Sequence, residues 1–292
     1  MNAERSVIFT ADDFGLAQEV NEAVERAHRE GLLSSASLMV AAPATADAIA
    51  RARRLETLRV GLHVVLVNGT PLQPRESVTN LVNARGEFPS NLFAAGVQYF
   101  ASPKARRQLR QEIRAQFEAF RATGLALDHV NAQNHFHVHP TVFGMILELG
   151  QDYGAHAVRI PYEPFWPSWR AARNRWSGRF ANATLLWPWL ALMRSRARRA
   201  GLLCNDALFG MNDSGGMTSK RVRDIVNELP VGLSEIYLHP ATRAWPAGER
   251  AMPGYAFSDE LGALLDPHVL EAVRARGAAL TTYSELVNAR VA

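Results

Sequence analysis

The sequence predicts an α/β protein, a closed or partly closed barrel of about seven or eight mostly parallel strands. Three observations carry this. Short apolar, β-branched runs alternate with segments of helical periodicity, the pattern of β–α–β units. Polar and titratable residues collect at the C-terminal ends of those runs, where parallel folds place their sites. The 292 residues suffice for one large α/β barrel or two ordinary domains, and residues 1–292 are read as a single domain.

Residues 7–10 form the first strand, which ends in Ala11-Asp12-Asp13-Phe14-Gly15. Val20, Ala23, Val24 and Ala27 then recur at helical spacing, and Gly31 closes that helix. Adjacent aspartates at a strand end serve either as helix caps or as a cation ligand beside a base, the neighbour pointing the other way. Residues 36–40 read as the second strand and 44–55 as the second helix. Within the apolar strand 60–66 stands His63. A histidine buried there needs a hydrogen bond or a cation, and Gly61 permits close backbone approach.

Residues 67–100 carry Gly69, Pro71, Pro74, Gly86 and Pro89 and read as a long irregular insertion facing the substrate. A helix follows over 103–123, with Leu109, Ile113, Phe117 and Phe120 as its apolar stripe.

The densest cluster is Asn-Ala-Gln-Asn-His-Phe-His-Val-His-Pro at 131–140. It follows an apolar run and reads as a strand entering a polar mouth. Alternation in an extended chain puts Gln133, His135 and His137 on one face, with Asn131 behind them. After a helix at 141–153, residues 157–162 form a strand containing Arg159, which suits pairing with a carboxylate to hold its protonation state.

The composition changes at residues 163–205. Trp166, Trp169, Trp176, Trp187 and Trp189 fall here among many arginines, without one Asp or Glu between Pro164 and Asn205. Such a segment suits a membrane interface through 165–201, with rings at headgroup depth and cations on anionic lipid. It equally suits a helical excursion packed on the barrel, or an oligomer contact. A polar loop at 206–218, a helix at 219–228 and a strand at 232–239 follow. That strand ends in His239-Pro240, and His239 is a candidate general acid. Helices at 258–265 and 267–276, a strand at 278–282 and a helix from Ser284 complete the chain.

A single cysteine, Cys204, excludes an internal disulfide framework or thiolate cluster. With no charged-then-apolar leader and no long apolar run, the expected location is cytoplasmic, peripheral on the inner face of the membrane if the tryptophan segment binds lipid. The net charge of +4 comes without a nucleic-acid-binding motif, so no nucleic-acid partner is expected.

Asp12-Asp13, Gly61-Leu62-His63, the histidine cluster and Leu238-His239-Pro240-Ala241, in that order, resemble the YdjC-like carbohydrate deacetylases. That family is similar to the NodB-type polysaccharide deacetylases, which implies a deformed barrel and one divalent metal ion (Mg, Zn, Mn, Co or Ni). The histidine cluster and the Trp/Arg segment are most similar to the hopanoid-biosynthesis-associated branch. The resemblance implies removal of the N-acetyl group from an N-acetylglucosamine on bacteriohopanetetrol. It makes Asp12 the base, Asp13 and His63 metal ligands, and Arg159 and His239 the supporting arginine and the acid. Gln133 stands where the family carries its next metal histidine. Either its amide oxygen coordinates, or His135 takes the role, or metal affinity is reduced. His137, Tyr162 and Asn212 are assigned to substrate contact. Rival expectations are a deacetylase of soluble chitooligosaccharides, another metal hydrolase, and a non-catalytic sugar- or lipid-binding protein.

Overall fold

The computed structural model describes residues 5–291. Six strands form one sheet in the order β4-β3-β2-β1-β6-β5. They are β1 (Arg5–Phe14), β2 (Ser35–Leu38), β3 (Arg59–Val64), β4 (Leu127–Ala132), β5 (Ala207–Phe209) and β6 (Gly232–Leu238). A seventh, β7 (Ala278–Leu280), pairs with the opening residues of β1. Every pairing is parallel, as strands returning through helices require.

Beyond β4 the sheet curls round. Single bridges join Val130 to Val158 and Ala157 to Leu203, and the Leu208 amide donates to the Tyr162 carbonyl. These contacts carry the circle from β4 to β5 and make a deformed barrel. Residues 157–162 hold their place through isolated bridges rather than as the full strand expected.

The helices between strands are α1 (Gln18–Glu30), α2 (Thr45–Ala52), α3 (Leu92–Ala101), α4 (Pro103–Ala122), α5 (Pro140–Asp152), α6 (Phe165–Ala172), α7 (Trp176–Leu185), α8 (Trp187–Arg199) and α9 (Ser219–Asn227). After β6 come α10 (Pro246–Ala251), α11 (Phe257–Leu265), α12 (Pro267–Ala275) and, past β7, α13 (Tyr283–Val291). Among the described residues no helix is long and apolar enough to cross a membrane.

Two expectations change. The segment 67–100 is not irregular throughout, because it ends in α3. Asn91 caps that helix by accepting from the Ala94 amide. The sequence concealed it because α3 carries apolar residues outward as well as inward, so no polar face marks its period.

The histidine cluster is also not a strand. β4 stops at Ala132, and 133–138 is a tight 3₁₀ segment in which Asn134 and His135 adopt left-handed backbone, φ 52° and 51°. Gln133, His135 and His137 therefore do not share a strand face.

The Trp/Arg segment folds into α6, α7 and α8. Leu190, Met193 and Ala197 of α8 point into the core. Its arginines are not all available to lipid. Arg179 is buried and donates to Asp213 Oδ1 (2.6 Å) and Ser168 Oγ (2.7 Å), and Arg194 donates to the Asp206 carbonyl. Trp189 Nε1 donates to the Val138 carbonyl, which ties α8 to the end of the histidine segment.

Candidate active site

The C-terminal end of β1 aims the two aspartates. Pairing with β2 passes from Ala11↔Ala36 to Phe14↔Leu38, three residues on one strand against two on the other. This bulge falls on Asp12 and Asp13, and Asp13 takes left-handed backbone, φ 63°. In a regular strand the two side chains would face opposite ways. The bulge instead lets both line one cleft of about 870 Å³, together with His63, Gln133, His135, Tyr237 and His239.

Asp12 is buried and accepts from three donors, two on Oδ1 and one on Oδ2. Arg159 grips it with both terminal nitrogens, and Ser37 Oγ donates to Oδ1 at 2.9 Å. Burial alone would raise its pKa. Arg159, helped by His63, outweighs burial and holds the carboxyl well below the usual range, so Asp12 stays ionised.

Arg159 itself has no exposure. Its Nε and Nη2 donate to Glu235 Oε1 at 3.1 and 2.7 Å, and the Tyr283 hydroxyl donates to Glu235 Oε2 at 2.8 Å. A guanidinium between two carboxylates needs all its donors used in such a site.

His63 Nε2 lies 3.4 Å from Asp13 Oδ1. Burial favours the neutral ring, yet Asp12 and Asp13 raise its pKa above the ordinary value. Asn131, its register partner on β4, is best satisfied with its oxygen accepting from both Arg159 terminal nitrogens and its nitrogen donating to His63 Nδ1 at 2.6 Å. In that orientation the His63 proton sits on Nε2, against Asp13. A cation on Nε2 would require the proton on Nδ1 and the amide reversed.

Among the described residues no three His, Cys, Asp or Glu side chains converge as metal ligands. Gln133 offers a further oxygen donor in the same cleft. Its Oε1 is buried without a hydrogen-bond partner on the wall shared by Asp13 and His63. A carboxylate, an imidazole and an amide oxygen suit a divalent cation that keeps water. His135 is less free: its Nε2 meets the Tyr237 hydroxyl at 3.0 Å. Burial, then Arg159, pushes its pKa well below the usual histidine value.

His239 faces the cleft between the Tyr237 and Tyr255 rings, and its main-chain amide donates to Glu260 Oε2 at 2.5 Å. The other predicted residues lie outside the cleft. His137 is fully buried, and its Nε2 donates to the Arg159 carbonyl at 3.0 Å. Tyr162 lies under the Arg194 guanidinium. The amide of Asn212 donates to Glu163, and its side-chain oxygen accepts from Asn182.

Sequence reasoning missed Ser37, Glu235, Tyr237 and Tyr283. Glu235 carried a signal, being the one charge in the otherwise buried run 233–238.

Comparison with known proteins settles the family. A model described as YdjC-like protein matches residues 6–275. The chain belongs to the YdjC-like family. A carbohydrate deacetylase of Geobacillus stearothermophilus is 30% identical over 283 residues, covering 96% of this chain and 98% of its own. A carbohydrate deacetylase of Vibrio vulnificus strain CMCP6 is 38% identical over 148 residues, 50% of this chain and 56% of its own. One from Brevibacillus brevis is 34% identical over 160 residues, and the chain spans 59% of its length.

Among solved structures, an Enterococcus faecalis V583 protein assigned provisionally to cellobiose-phosphate cleavage superposes with a TM-score of 0.75. It is 22% identical, over 97% of this chain and 99% of that one. This likeness shows the fold of this YdjC-like protein.

Proposed function

We propose that this YdjC-like protein is a metal-dependent N-deacetylase of an N-acetylglucosamine-bearing hopanoid lipid, acetyl-hexosaminyl bacteriohopanetetrol, leaving the free amine. One observation carries the hydrolytic reading. Asp12, Asp13, His63, Gln133 and His239 meet in one cleft, with Asp12 kept ionised by Arg159. Full-length likeness to a carbohydrate deacetylase supports the same chemistry. Asp13, His63 and Gln133 would hold the cation, which supplies polarisation of the acyl carbonyl and a more acidic water.

The chain's own residues then divide the work. Asp12 accepts the proton of the water as its oxygen attacks the carbonyl carbon. Because Arg159 makes Asp12 a weak base, that water must first be acidified, which fits a metal-dependent site. The C–N bond breaks, and His239 delivers a proton to the departing amine. The products are acetate and the glucosamine amine.

We assign His137 to the support of Asp12 through Arg159, while Tyr162 and Asn212 brace Arg194 and Glu163 outside the cleft. We read residues 163–205 as an insertion in a single catalytic domain. Its exposed Trp166, Trp176 and Trp187 suit peripheral contact with the inner membrane face. A soluble chitooligosaccharide is the second reading, favoured by the polar Asn83, Arg85 and Glu87 along the cleft.

The test is mass spectrometry of an N-acetylglucosaminyl hopanoid with protein and divalent metal, beside Asp12→Asn. Loss of one acetyl group, abolished by the substitution, supports the proposal. Loss from N,N′-diacetylchitobiose alone would transfer the activity to the second reading. No loss from either, with metal bound, would sink the deacetylase reading.

A further inference from the structure

A second concavity, of about 680 Å³, opens beside the catalytic cleft and shares Leu92, Asn134, His135 and Met211 with it. The left-handed backbone at Asn134 and His135 makes the partition between the two. The floor is Phe136 stacked on His139, rings 6.0 Å apart and 5° from parallel. One wall is α3, and Leu186 from the α7–α8 junction reaches the other.

Among the described residues no Lys, Arg, Asp or Glu lines the groove. On its floor His139 donates from Nε2 to the carbonyl of Gly96, another lining residue, at 2.9 Å, and the polar Asn134 and His135 stand at the partition. Phe93, Val97 and Phe100 on α3 are nevertheless 82%, 54% and 63% exposed. A contiguous apolar patch of this kind on one helix marks a contact with something apolar.

We infer that this groove is a binding subsite for an apolar aglycone attached to the sugar whose acyl group lies at Asp12 and Asp13. The assignment rests on the deacetylase reading and adds where a substrate's apolar part lies. Continuity with the cleft selects this occupant. A substrate with its polar head against His135 and Tyr237 passes the partition directly onto Phe136 and α3, with no charged side chain to desolvate. The polar wall of the cleft at Asn83, Arg85 and Glu87 offers no comparable place for hydrocarbon.

Calorimetry with methyl and octyl N-acetylglucosaminides, below the micellar concentration of the octyl compound, tests this, with acetate release assayed in parallel. The substitution is Val97→Asp, on an exposed position of α3 outside the catalytic cleft. The wild type should bind the octyl compound at least tenfold more tightly than the methyl. Val97→Asp should abolish that advantage and leave methyl binding unchanged. Equal affinities for the two compounds in the wild type would overturn the inference, whether or not acetate is released. An octyl advantage that survives Val97→Asp would also overturn it, by placing the chain elsewhere. Tighter octyl binding lost in the variant, but without acetate release, would keep the subsite and remove the deacetylase reading. Sedimentation of both proteins completes the test. A dimer dissociated by Val97→Asp would give the groove to a second copy of the chain and overturn the proposal.

Discussion

Arg159 holds Asp12 by two parallel hydrogen bonds, Nη1 to Oδ2 at 2.6 Å and Nη2 to Oδ1 at 2.9 Å. The fork matches the carboxylate, which a lysine ammonium does not. Asp12→Asn should lower acetate release by about 10²–10⁴-fold, the usual range for a lost acid–base group. Arg159→Met leaves Asp12 and Glu235 as buried carboxylates without their cation. It should cost about 3–5 kcal/mol in urea unfolding as well as activity. Unchanged stability in Arg159→Met would show that the network is not holding the barrel interior.

Gln133 sits where a stronger ligand is expected. Gln133→Ala should weaken divalent-metal binding by tenfold or more, and Gln133→His should strengthen it. Titration of the metal-free protein with zinc, read by calorimetry, measures both. Equal affinity in all three proteins would remove Gln133 from the ligand set.

Acid stability should depend on His137. Burial, then Arg159, pushes its pKa down to about 3, while an unfolded histidine titrates near ~6.5. Between those values the unfolded chain binds the extra proton. Stability therefore rises with pH across this window and levels off above it. Asp12 acts in the same direction lower down: its depressed pKa contributes fully above about 3.9 and is lost as pH falls further. Urea midpoints between pH 4 and 7 should rise steeply for the wild type and less steeply for His137→Gln, which retains a donor to the Arg159 carbonyl. Parallel pH profiles would refute the role given to His137.

Gly61 is required by contact rather than by conformation. A Cβ there would lie 2.5 Å from the His129 ring and from the His129 carbonyl oxygen. Gly61→Ala should destabilise the protein by about 1–3 kcal/mol, the cost of overpacking. A thermal midpoint equal to that of the wild type would mean that β3 and β4 can part without penalty.

Contact with membranes is testable without removing the insertion. Deleting residues 176–199 would strip Leu190 and Met193 from the core, so loss of binding would prove little. Leu185 and Trp187 are exposed at the α7–α8 junction. Leu185→Glu with Trp187→Ser should reduce flotation with anionic liposomes several-fold and leave the melting temperature unchanged. Equal flotation would make the junction irrelevant to lipid.

The barrel and the strand-end aspartates were legible because parallel strands buried on both faces write themselves as short apolar runs with polar ends. His63 and Arg159 were legible because a charge or imidazole inside such a run needs a partner. The histidine segment was misread because alternation assumes extended backbone, whereas Asn134 and His135, residue types that tolerate left-handed backbone, adopt it here. The contribution of Ser37 was invisible, since a serine in a strand has many uses. Glu235 could have been found by the logic applied to Arg159: two opposite charges in two apolar strands imply each other.

The hydrogen bonds behind Asp12 end on the same short stretch of chain. Tyr283 reaches it through Glu235 and Arg159. Ser284 reaches it through Asp128, which pairs with His129, whose ring meets the Ser37 hydroxyl that donates to Asp12. A nascent polypeptide emerging from the ribosome can pair β1 with β2 early, but it lacks both props until residues 283 and 284 have been translated. Biosynthesis therefore delivers the aspartates about 270 residues before their supports, and the charge network around Asp12 can close only after Tyr283 and Ser284 have emerged.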